Sequence, residues 1–229
     1  EIDKIASLKL YDFINATVEE NIVDEDKINL LFKMQDSQKF YVERINLFGN
    51  FQTVEEVIRN SLIVDEGDPL NELLYNKSID NIRSTNFFKT VKSEIVDGSS
   101  PSEKIININV IEQATGEISM GAGYGSSGSM IGGGITEKNF LGKGINLDSN
   151  IEISEESLKG KFVYAKPNFN YTDNTLFTSV KATTTDNLTD FGYKTSDTGF
   201  SVATQFEQYE NLFFKPEIDL TIEKIETNA

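Results

Sequence analysis

Histidine and cysteine, which supply much of the nucleophilic and metal-binding chemistry of proteins, are both absent from this sequence. Without histidine there is no Ser-His-Asp or Cys-His system to activate a nucleophile, and no histidine ligand for a metal. Without cysteine there are no disulfides and no thiolate metal sites. The chemistry open to the chain therefore depends on carboxylates and on the backbone.

Carboxylates gather in two places. Asp65, Glu66 and Asp68 could suggest a cation site, but they lie in a short predicted loop between helices, where a solvated state is the simpler interpretation. The second group lies near a predicted turn and comprises Asp148, Glu152, Glu155 and Glu156. These could bind a divalent cation or imitate a glycosidase pair, but nothing places two of them in one cleft. We predict no catalytic residue, no metal site, no cofactor and no enzymatic activity.

Glycines form two further patterns. Residues 132–134 are three consecutive glycines, but no Lys-Ser/Thr pair and no helix follows them, so we interpret them as sites of sheet curvature rather than a phosphate loop. Gly121, Gly123 and Gly125 alternate along a predicted strand. Glycine weakens a strand, so this one could separate from a neighbour and offer its edge to another strand. The alternative is that these glycines only relieve crowding in a barrel wall.

Charge and hydropathy exclude several classes of protein. The formal net charge of −16 argues against nucleic-acid binding, which needs Lys and Arg to neutralise phosphates. No stretch approaches the roughly 18 to 20 apolar residues of a membrane helix, although barrel strands need only every second residue to be apolar. The 229 residues start at Glu1 without a methionine, and we interpret the chain as part of a longer protein.

The first half of the chain mixes helical and strand patterns. In residues 1–38 a helix end near Ile5 to Leu10 and two strands, from Asn15 to Val23 and from Lys27 to Met34, resemble the tail of a preceding domain. Residues 39–115 form a complete unit with the predicted order β-α-α-β-β. Composition changes near Gly116, after which Gly, Ser, Thr and Asn become frequent and no helical period remains.

Residues 116–229 read as seven strands with alternating apolar and polar residues. Their predicted bounds are 118–126, 130–140, 144–154, 159–166, 175–186, 195–206 and 212–226. Ile145, Leu147, Ile218 and Leu220 would share the apolar face, because residues two apart in a strand point the same way. A soluble antiparallel sheet with one wet face gives the same alternation.

The turns between these strands favour a membrane barrel. Consecutive hairpin turns alternate between the two ends of a barrel, and the aromatic residues concentrate at one end. Polar and acidic turns, such as residues 126–128, 155–157 and 186–190, occupy the other. An aromatic girdle at a bilayer interface has this distribution. The predicted girdle residues are Phe140, Phe169, Tyr171, Phe206, Tyr209 and Phe213.

Several short motifs resemble those of BamA-type outer-membrane protein assembly factors. Residues 40–50, which read Phe-Tyr-Val-Glu-Arg-Ile-Asn-Leu-Phe-Gly-Asn, resemble the start of the last POTRA domain of that family. The similarity continues through residues 57–59, 66–67 and 86–88, and resumes at 110–116 and 121–126. The Asn-Phe-Leu-Gly-Lys-Gly of residues 139–144 resembles the first periplasmic turn. Lys-Pro-Asn-Phe at residues 166–169 departs mildly from the family's Asn-Pro-Tyr-Phe.

The resemblance implies an α+β POTRA domain followed by part of an antiparallel transmembrane β-barrel. The implied domains are a POTRA remnant at residues 1–38, a POTRA domain at 39–115 and the first barrel strands at 116–229, fewer than half of such a barrel. It implies a bacterial outer-membrane location with the POTRA region in the periplasm. The implied function is folding and insertion of client outer-membrane proteins without a nucleotide. The alternatives are a POTRA-containing transporter of the two-partner-secretion type and a soluble periplasmic binding module.

The resemblance also implies partners and sites. The partners are unfolded outer-membrane protein clients, periplasmic lipoproteins of the assembly complex and outer-membrane lipid, with no nucleic acid. Arg59 and Glu66 become candidates for docking a lipoprotein, against the simpler interpretation of helix-end charges. The weak first strand becomes the edge of a lateral gate. Its candidate residues are Ile118, Met120, Gly121, Gly123, Tyr124 and Gly125.

Overall fold

The computed structural model describes residues 14–24, 27–36, 39–125, 128–209 and 212–227, which divide into two compact units. The first comprises the described residues up to Phe51 together with Ile58–Gln113. The second comprises Gln52–Val57 and the described residues from Ala114 onward. Residues 52–57 therefore belong by their contacts to the second unit, although in sequence they interrupt the first.

A two-stranded antiparallel hairpin begins the described chain. Strands β1 (Ile14–Asp24) and β2 (Lys27–Asp36) pair from Ile14 opposite Asp36 to Asp24 opposite Lys27. These are the two strands predicted in this region. The helix end predicted near residues 5–10 lies outside the described residues. The assignment of this segment to a preceding domain stays a prediction.

The β-α-α-β-β order predicted for the next segment is confirmed. Its elements are β3 (Tyr41–Phe48), α1 (Glu55–Arg59), α2 (Glu72–Ser84), β4 (Phe88–Asp97) and β5 (Glu103–Glu112). The sheet order is β3-β5-β4, with β5 parallel to β3 and antiparallel to β4. In the part of the chain that the structure describes, no helix is both long and apolar enough to cross a membrane.

Aliphatic side chains from the sheet and the helices form the core of the first unit. Strand β5 contributes alternate residues, because residues two apart in a strand share a face. Register shifts in β3 and β4 place their core residues three apart, at Val42 and Ile45 and at Phe88 and Val91. The best-buried members are Val42, Ile45, Ile58, Val64, Ile79, Ile82, Ile106, Ile108 and Val110. Helix α2 begins where the Asn71 side chain accepts hydrogen bonds from the backbone nitrogens of Leu73 and Leu74, at 2.9 and 3.1 Å.

The second unit is an eight-stranded antiparallel sheet that follows the chain order. Its strands are β6 (Gly116–Gly125), β7 (Gly128–Phe140), β8 (Ile145–Ser154), β9 (Ser157–Lys166), β10 (Thr175–Asn187), β11 (Tyr193–Tyr209), β12 (Leu212–Phe214) and β13 (Glu217–Thr227). Each strand from β6 to β11 pairs with the next, and both β12 and β13 pair with β11. The sheet is not closed, because β6 and β13 do not pair within the described residues.

Two details of this sheet differ from the predicted seven strands. The last predicted strand, residues 212–226, divides into β12 and β13, and the break falls at Lys215 and Pro216. Proline has no backbone N–H to donate to a ladder, which accounts for a break there. The predicted polar turn at residues 186–190 contains part of a one-turn helix, α3 (Leu188–Phe191).

Register assigns every strand residue to one of two faces. Phe162, Val180, Phe200 and Leu220 are opposite one another on four neighbouring strands. We call their side of the sheet the apolar face. The next rung crosses Lys161, Lys181, Gly199 and Thr221 on the other side, the polar face.

The apolar face is largely open. Ile218 and Leu220 are 71% and 66% exposed, whereas Ile145, at the end of β8, is buried. An apolar face of this size is characteristic of a surface that meets lipid or a partner rather than water. The sequence predicted that the apolar face would not be buried against a second sheet, and Ile218 and Leu220 of β13 are exposed as expected.

Candidate functional site

Strand β6 forms one edge of the eight-stranded sheet and carries all six predicted gate residues. Among the described residues its only strand partner is β7, so the backbone groups along its other edge pair with no strand. Every residue of β6 is exposed, and Ile118, Met120 and Tyr124 reach 75%, 89% and 87%. An open edge of this kind is a template for another strand.

The pairing of β6 with β7 includes several rungs with few side-chain contacts. Gly121 is opposite Gly132, and Gly125 is opposite Gly128. Met120 and Ser119 are opposite two further glycines of β7, residues 133 and 134. Cross-strand side-chain pairs contribute about 0.2 to 1 kcal/mol each. These rungs lack that contribution, so the hairpin is held mainly by its backbone hydrogen bonds.

Gly121 and Gly125 of β6 have more open surroundings than the glycines of β7, whereas a Cβ at Gly123 would lie 3.3 Å from Met130 Cγ. A Cβ atom added at Gly121 or Gly125 would meet nothing within 4 Å. A Cβ at Gly133 would lie 3.2 Å from the Ser119 carbonyl oxygen. A Cβ at Gly134 would lie 3.1 Å from Ser119 Oγ and 3.2 Å from the Ser149 carbonyl oxygen. Close backbone approach thus accounts for the β7 glycines, but crowding within the described structure does not account for Gly121 or Gly125.

The predicted girdle residues lie where the sequence placed them, at the turns of one end of the sheet. Phe140 ends β7, Phe169 and Tyr171 form a 3₁₀ turn after β9, and the others lie in β11 and β12. The Phe206 and Phe214 ring centroids are 5.7 Å apart. The sorting is incomplete, because Phe191 and Tyr193 pack together at the opposite end, with centroids 6.4 Å apart. Their role as a girdle stays a prediction.

Arg59 and Glu66, the predicted docking residues, meet over the backbone of β3. Glu66 Oε1 accepts a hydrogen bond from the Ile45 nitrogen at 3.0 Å and lies 3.5 Å from Arg59 Nη1. Arg59 Nη2 donates to the Ile45 carbonyl oxygen at 3.1 Å. Both side chains are partly exposed, at 36% and 43%. They therefore have a structural role at Ile45, whatever partner they also contact.

Strand β4 is a second open edge, in the three-stranded sheet of the first unit. The other outer strand, β3, is covered by residues 67–70, since the Leu70 nitrogen donates to the Phe40 carbonyl oxygen at 2.9 Å. On β4, Ile95 and Val96 are 39% and 37% exposed. At the end of the strand, a hydrogen bond from Lys104 holds the pKa of Asp97 below its ordinary value.

The carboxylate clusters are occupied with local contacts. Glu152 pairs with Lys159 at 2.9 Å, and Glu155 accepts from the Ser129 nitrogen at 3.1 Å. Asp68 accepts from the Asp65 nitrogen at 2.9 Å. Within the described ranges, no group of three or more acidic side chains is arranged to hold a metal ion.

A buried polar contact that the sequence did not predict lies at the turn between β7 and β8. Asn139 and Thr53 are 9% and 2% exposed, and Asn139 Nδ2 donates to Thr53 Oγ1 at 2.9 Å. The only sequence signal for it was the Asn-Phe-Leu-Gly-Lys-Gly motif at residues 139–144, because the two side chains are 86 positions apart.

Comparison with known proteins matches both parts of this architecture. The POTRA family, described as a surface antigen variable number repeat, matches residues 40–113. The crystal structure of BamA from Haemophilus ducreyi lacking POTRA domains 1–3 superimposes with a TM-score of 0.74 at 25% identity, over 93% of this chain and 41% of that one. The chain is similar to BamA in both of its parts.

Curated BamA proteins give the same result. The BamA of Nitratidesulfovibrio vulgaris is 27% identical over 132 residues, which are 57% of this chain and 17% of that protein. The BamA of Buchnera aphidicola is 31% identical over 152 residues, 63% of this chain and 24% of that protein. CdiB from Acinetobacter baumannii, at 13% identity and a TM-score of 0.59, shares the fold alone.

The BamA similarity confirms the predicted fold class, a POTRA domain followed by part of an antiparallel barrel sheet. It also confirms the predicted location, a bacterial outer membrane with the POTRA domain in the periplasm. The chain spans about a fifth of the length of the curated relatives it matches. The domain boundaries predicted from the sequence stay a prediction.

Proposed function

We propose that this BamA-type chain belongs to a factor that folds and inserts client β-barrel proteins into the outer membrane, with β6 as the templating edge of a lateral gate. The observation that carries the proposal is that several rungs between β6 and β7, including Gly121 opposite Gly132 and Gly125 opposite Gly128, lack side-chain pairs. The names of the relatives, outer membrane protein assembly factors, support the same activity.

Pairing of a client strand along β6 follows from the cost of unpaired backbone in lipid. Each unsatisfied N–H or C=O group in hydrocarbon costs several kcal/mol, so a strand entering the membrane is driven to find an edge. β6 would offer such an edge once it separates from a closing strand, because glycines on several of its rungs leave it weakly held. Main-chain pairing depends little on sequence, which suits a factor that accepts many clients.

The POTRA domain contributes a second pairing edge in this proposal. Strand β4 is open along one side, and its partly exposed Ile95 and Val96 could contact apolar residues of an unfolded client. This edge lies in the first unit, where a client strand could pair before it meets lipid.

Disulfide trapping tests the gate. The 229 residues contain no cysteine, so single thiols can be introduced into them one position at a time. We expect Met120→Cys in the full-length protein to form a disulfide with a cysteine in the terminal strand of a stalled client. The matched control is Val180→Cys, on the same face but in β10, which has strand partners on both sides. Adducts no more frequent at Met120→Cys than at Val180→Cys would overturn the proposal.

Arg59 and Glu66 are proposed to dock a periplasmic lipoprotein of the assembly complex, through charge left exposed at 36% and 43%. Glu66→Gln keeps an oxygen acceptor for the Ile45 N–H and removes only the charge. An exposed charge pair contributes up to ~1 kcal/mol, so we expect co-purification of the partner to fall by about two- to fivefold.

A second variant distinguishes the structural role of Glu66 from its proposed role in docking the lipoprotein. Glu66→Lys removes both the charge and the acceptor, and should also lower the melting temperature of the POTRA domain. If Glu66→Gln binds the lipoprotein as the parent does, while Glu66→Lys loses binding and stability together, Glu66 supports the fold only and docking lies elsewhere.

A further inference from the structure

We infer that Asn139 and Thr53 are positioning residues that fix one end of the β6–β7 hairpin, so that β6 is offered to a client in one register. This inference rests on the proposed templating function of β6. It concerns contacts within the second unit, to which residues 52–57 belong.

A β-bulge in β7 changes the direction of the Asn139 side chain. Glu137 is opposite Leu147 and Phe140 is opposite Ile145, so β7 uses three steps where β8 uses two. One extra residue in a strand breaks the ladder locally and turns a side chain out of its regular direction. Asn139 lies in this interval and is buried, unlike the exposed Lys138 before it.

Asn139 makes a hydrogen bond with each of its polar groups. Its backbone nitrogen donates to Glu137 Oε1 at 2.7 Å. Its Oδ1 accepts from the Gly144 nitrogen at 2.7 Å, which closes the turn. Its Nδ2 donates to Thr53 Oγ1. A buried amide that loses one of these partners is left unsatisfied, which costs more than the bond contributes when present.

Gly142 lets residues 52–57 approach the same turn. The Val54 nitrogen donates to the Gly142 carbonyl oxygen at 2.9 Å. A Cβ atom at Gly142, whose φ is +69°, would lie 1.9 Å from the Gln52 carbonyl oxygen. No other residue fits this position without displacing the chain, so the motif glycine is needed for the contact with residues 52–57.

Glu137 extends the network to the start of β6. Its carboxylate accepts from the Thr115 hydroxyl as well as from Asn139, and the Lys138 nitrogen donates to the Thr115 carbonyl oxygen at 3.3 Å. The hydrogen bonds thus run from Thr53 through Asn139 and Glu137 to Thr115, immediately before Gly116. Connected polar groups of this kind specify one arrangement of the chain.

The other end of the hairpin is restrained through β7 rather than β6, since Glu155 Oε1 accepts a hydrogen bond from the Ser129 nitrogen at 3.1 Å. Gly121 and Gly125 approach no neighbouring atom through their Cβ positions, and Gly125 is opposite another glycine. β6 is therefore fixed at its Gly116 end and free to separate toward Gly125. A strand fixed at one end keeps its register while the rest of its edge opens.

The test is a pair of isosteric and conservative variants in the full-length protein. Thr53→Val removes the acceptor for Asn139 Nδ2 and keeps the shape, whereas Thr53→Ser keeps a hydroxyl. Register is measured by disulfide formation between cysteines replacing Ile118 and Ile135, which are opposite each other, and compared with Ile118 and Gly133, two residues out of register. We expect Thr53→Val to lower the in-register to out-of-register ratio by about fivefold or more, and Thr53→Ser to restore it.

Client trapping separates this inference from the proposed function. Absence of client adducts at Met120→Cys in the parent protein defeats the templating proposal itself. If adducts form in the parent, and Thr53→Val changes neither their positions nor the disulfide ratio, the positioning inference alone is wrong. If Thr53→Val does not form a folded barrel, seen as loss of heat-shifted mobility on semi-native gels, the inference is tested instead on the unsubstituted protein.

Hydrogen exchange of the parent protein then decides without any substitution. We expect the amides of Val54, Asn139 and Gly144 to exchange at least about tenfold more slowly than those of Gly121 to Gly125. Equal exchange rates at the two ends of the β6–β7 hairpin would overturn the inference.

Discussion

Two hairpins of the same sheet, β6–β7 at its edge and β10–β11 inside it, both alternate residues between the apolar and polar faces. They differ in how many of their rungs carry paired side chains. In β10–β11, Val180 is opposite Phe200 and Thr178 is opposite Val202. Further strands pair with the outer side of each member, β9 with β10 and β13 with β11. In β6–β7, glycines stand on several rungs and one outer side is open.

The contrast shows that hairpins of one sheet can differ in side-chain pairing, as the proposed gate requires. Backbone pairing is the same in both hairpins, so the difference lies in the side chains on each rung and in the number of neighbouring strands. Side-chain pairs on the apolar face stabilise β10–β11 even where lipid replaces water outside, because these contacts are made between strands. The edge hairpin lacks part of this stabilisation.

The largest effect should come from making the interior hairpin resemble the edge. Val180→Gly combined with Phe200→Gly creates a glycine rung like that of Gly121 and Gly132. Two strand glycines and one lost side-chain pair should destabilise the barrel by about 1 to 3 kcal/mol. The measurement is the temperature at which the folded band is lost on semi-native gels. An unchanged temperature would mean that side-chain rungs do not distinguish the two hairpins.

A smaller effect of opposite sign should come from making the edge resemble the interior. Gly121→Thr places a β-branched polar residue on the polar face, where its Cβ meets nothing within 4 Å. We expect the hairpin to gain about 0.5 to 1 kcal/mol, with slower amide exchange in β6 and fewer client adducts.

Gly134→Thr is the matched control for that substitution. It lies on the same face of the same hairpin, but its Cβ would be 3.1 Å from Ser119 Oγ and 3.2 Å from the Ser149 carbonyl oxygen. It should therefore give no stabilisation. Equal gains at both positions would show that crowding does not separate the glycines of the two strands.

The smallest effect concerns an ion pair that ties the interior hairpin to its neighbour. Lys181 extends over Gly199 to reach Asp219 Oδ2 on β13 at 3.1 Å. Both side chains are more than a third exposed, so Asp219→Asn should cost only about 0.5 kcal/mol. Unfolding at low and high salt measures it. A cost that is the same in both would assign the effect to the Thr221 hydroxyl, which also donates to Asp219.

The sequence predicted the elements of both units because their signals are local. Alternation of period two identified the strands, and turn residues set the hairpin order from β6 to β11. The division of the last strand was not predicted. Pro216 interrupts its backbone pairing, but the residues after it alternate between apolar and polar, so the segment was interpreted as one strand. The short helix at Leu188–Phe191 is a single turn, too short for a period to show.

The site was predictable only in part, because its decisive contacts are long-range. Alternating glycines identified β6, but nothing in the sequence showed that Gly121 lacks crowding and Gly134 does not. The hydrogen bond from Ile45 to Glu66 and that from Asn139 to Thr53 join positions 21 and 86 residues apart. Such pairs depend on how elements pack, which neither propensity nor periodicity records.

The length of β7 carries information that its composition does not. The strand has 13 residues, against 10 in each of β6, β8 and β9. If Lys138 were deleted, Phe140 would still stand opposite Ile145, but Asn139 would become an ordinary ladder position opposite Asn146, directed away from Thr53. A one-residue deletion there would keep the apolar and polar faces of the sheet but would remove the Asn139–Thr53 hydrogen bond from the end of the first hairpin.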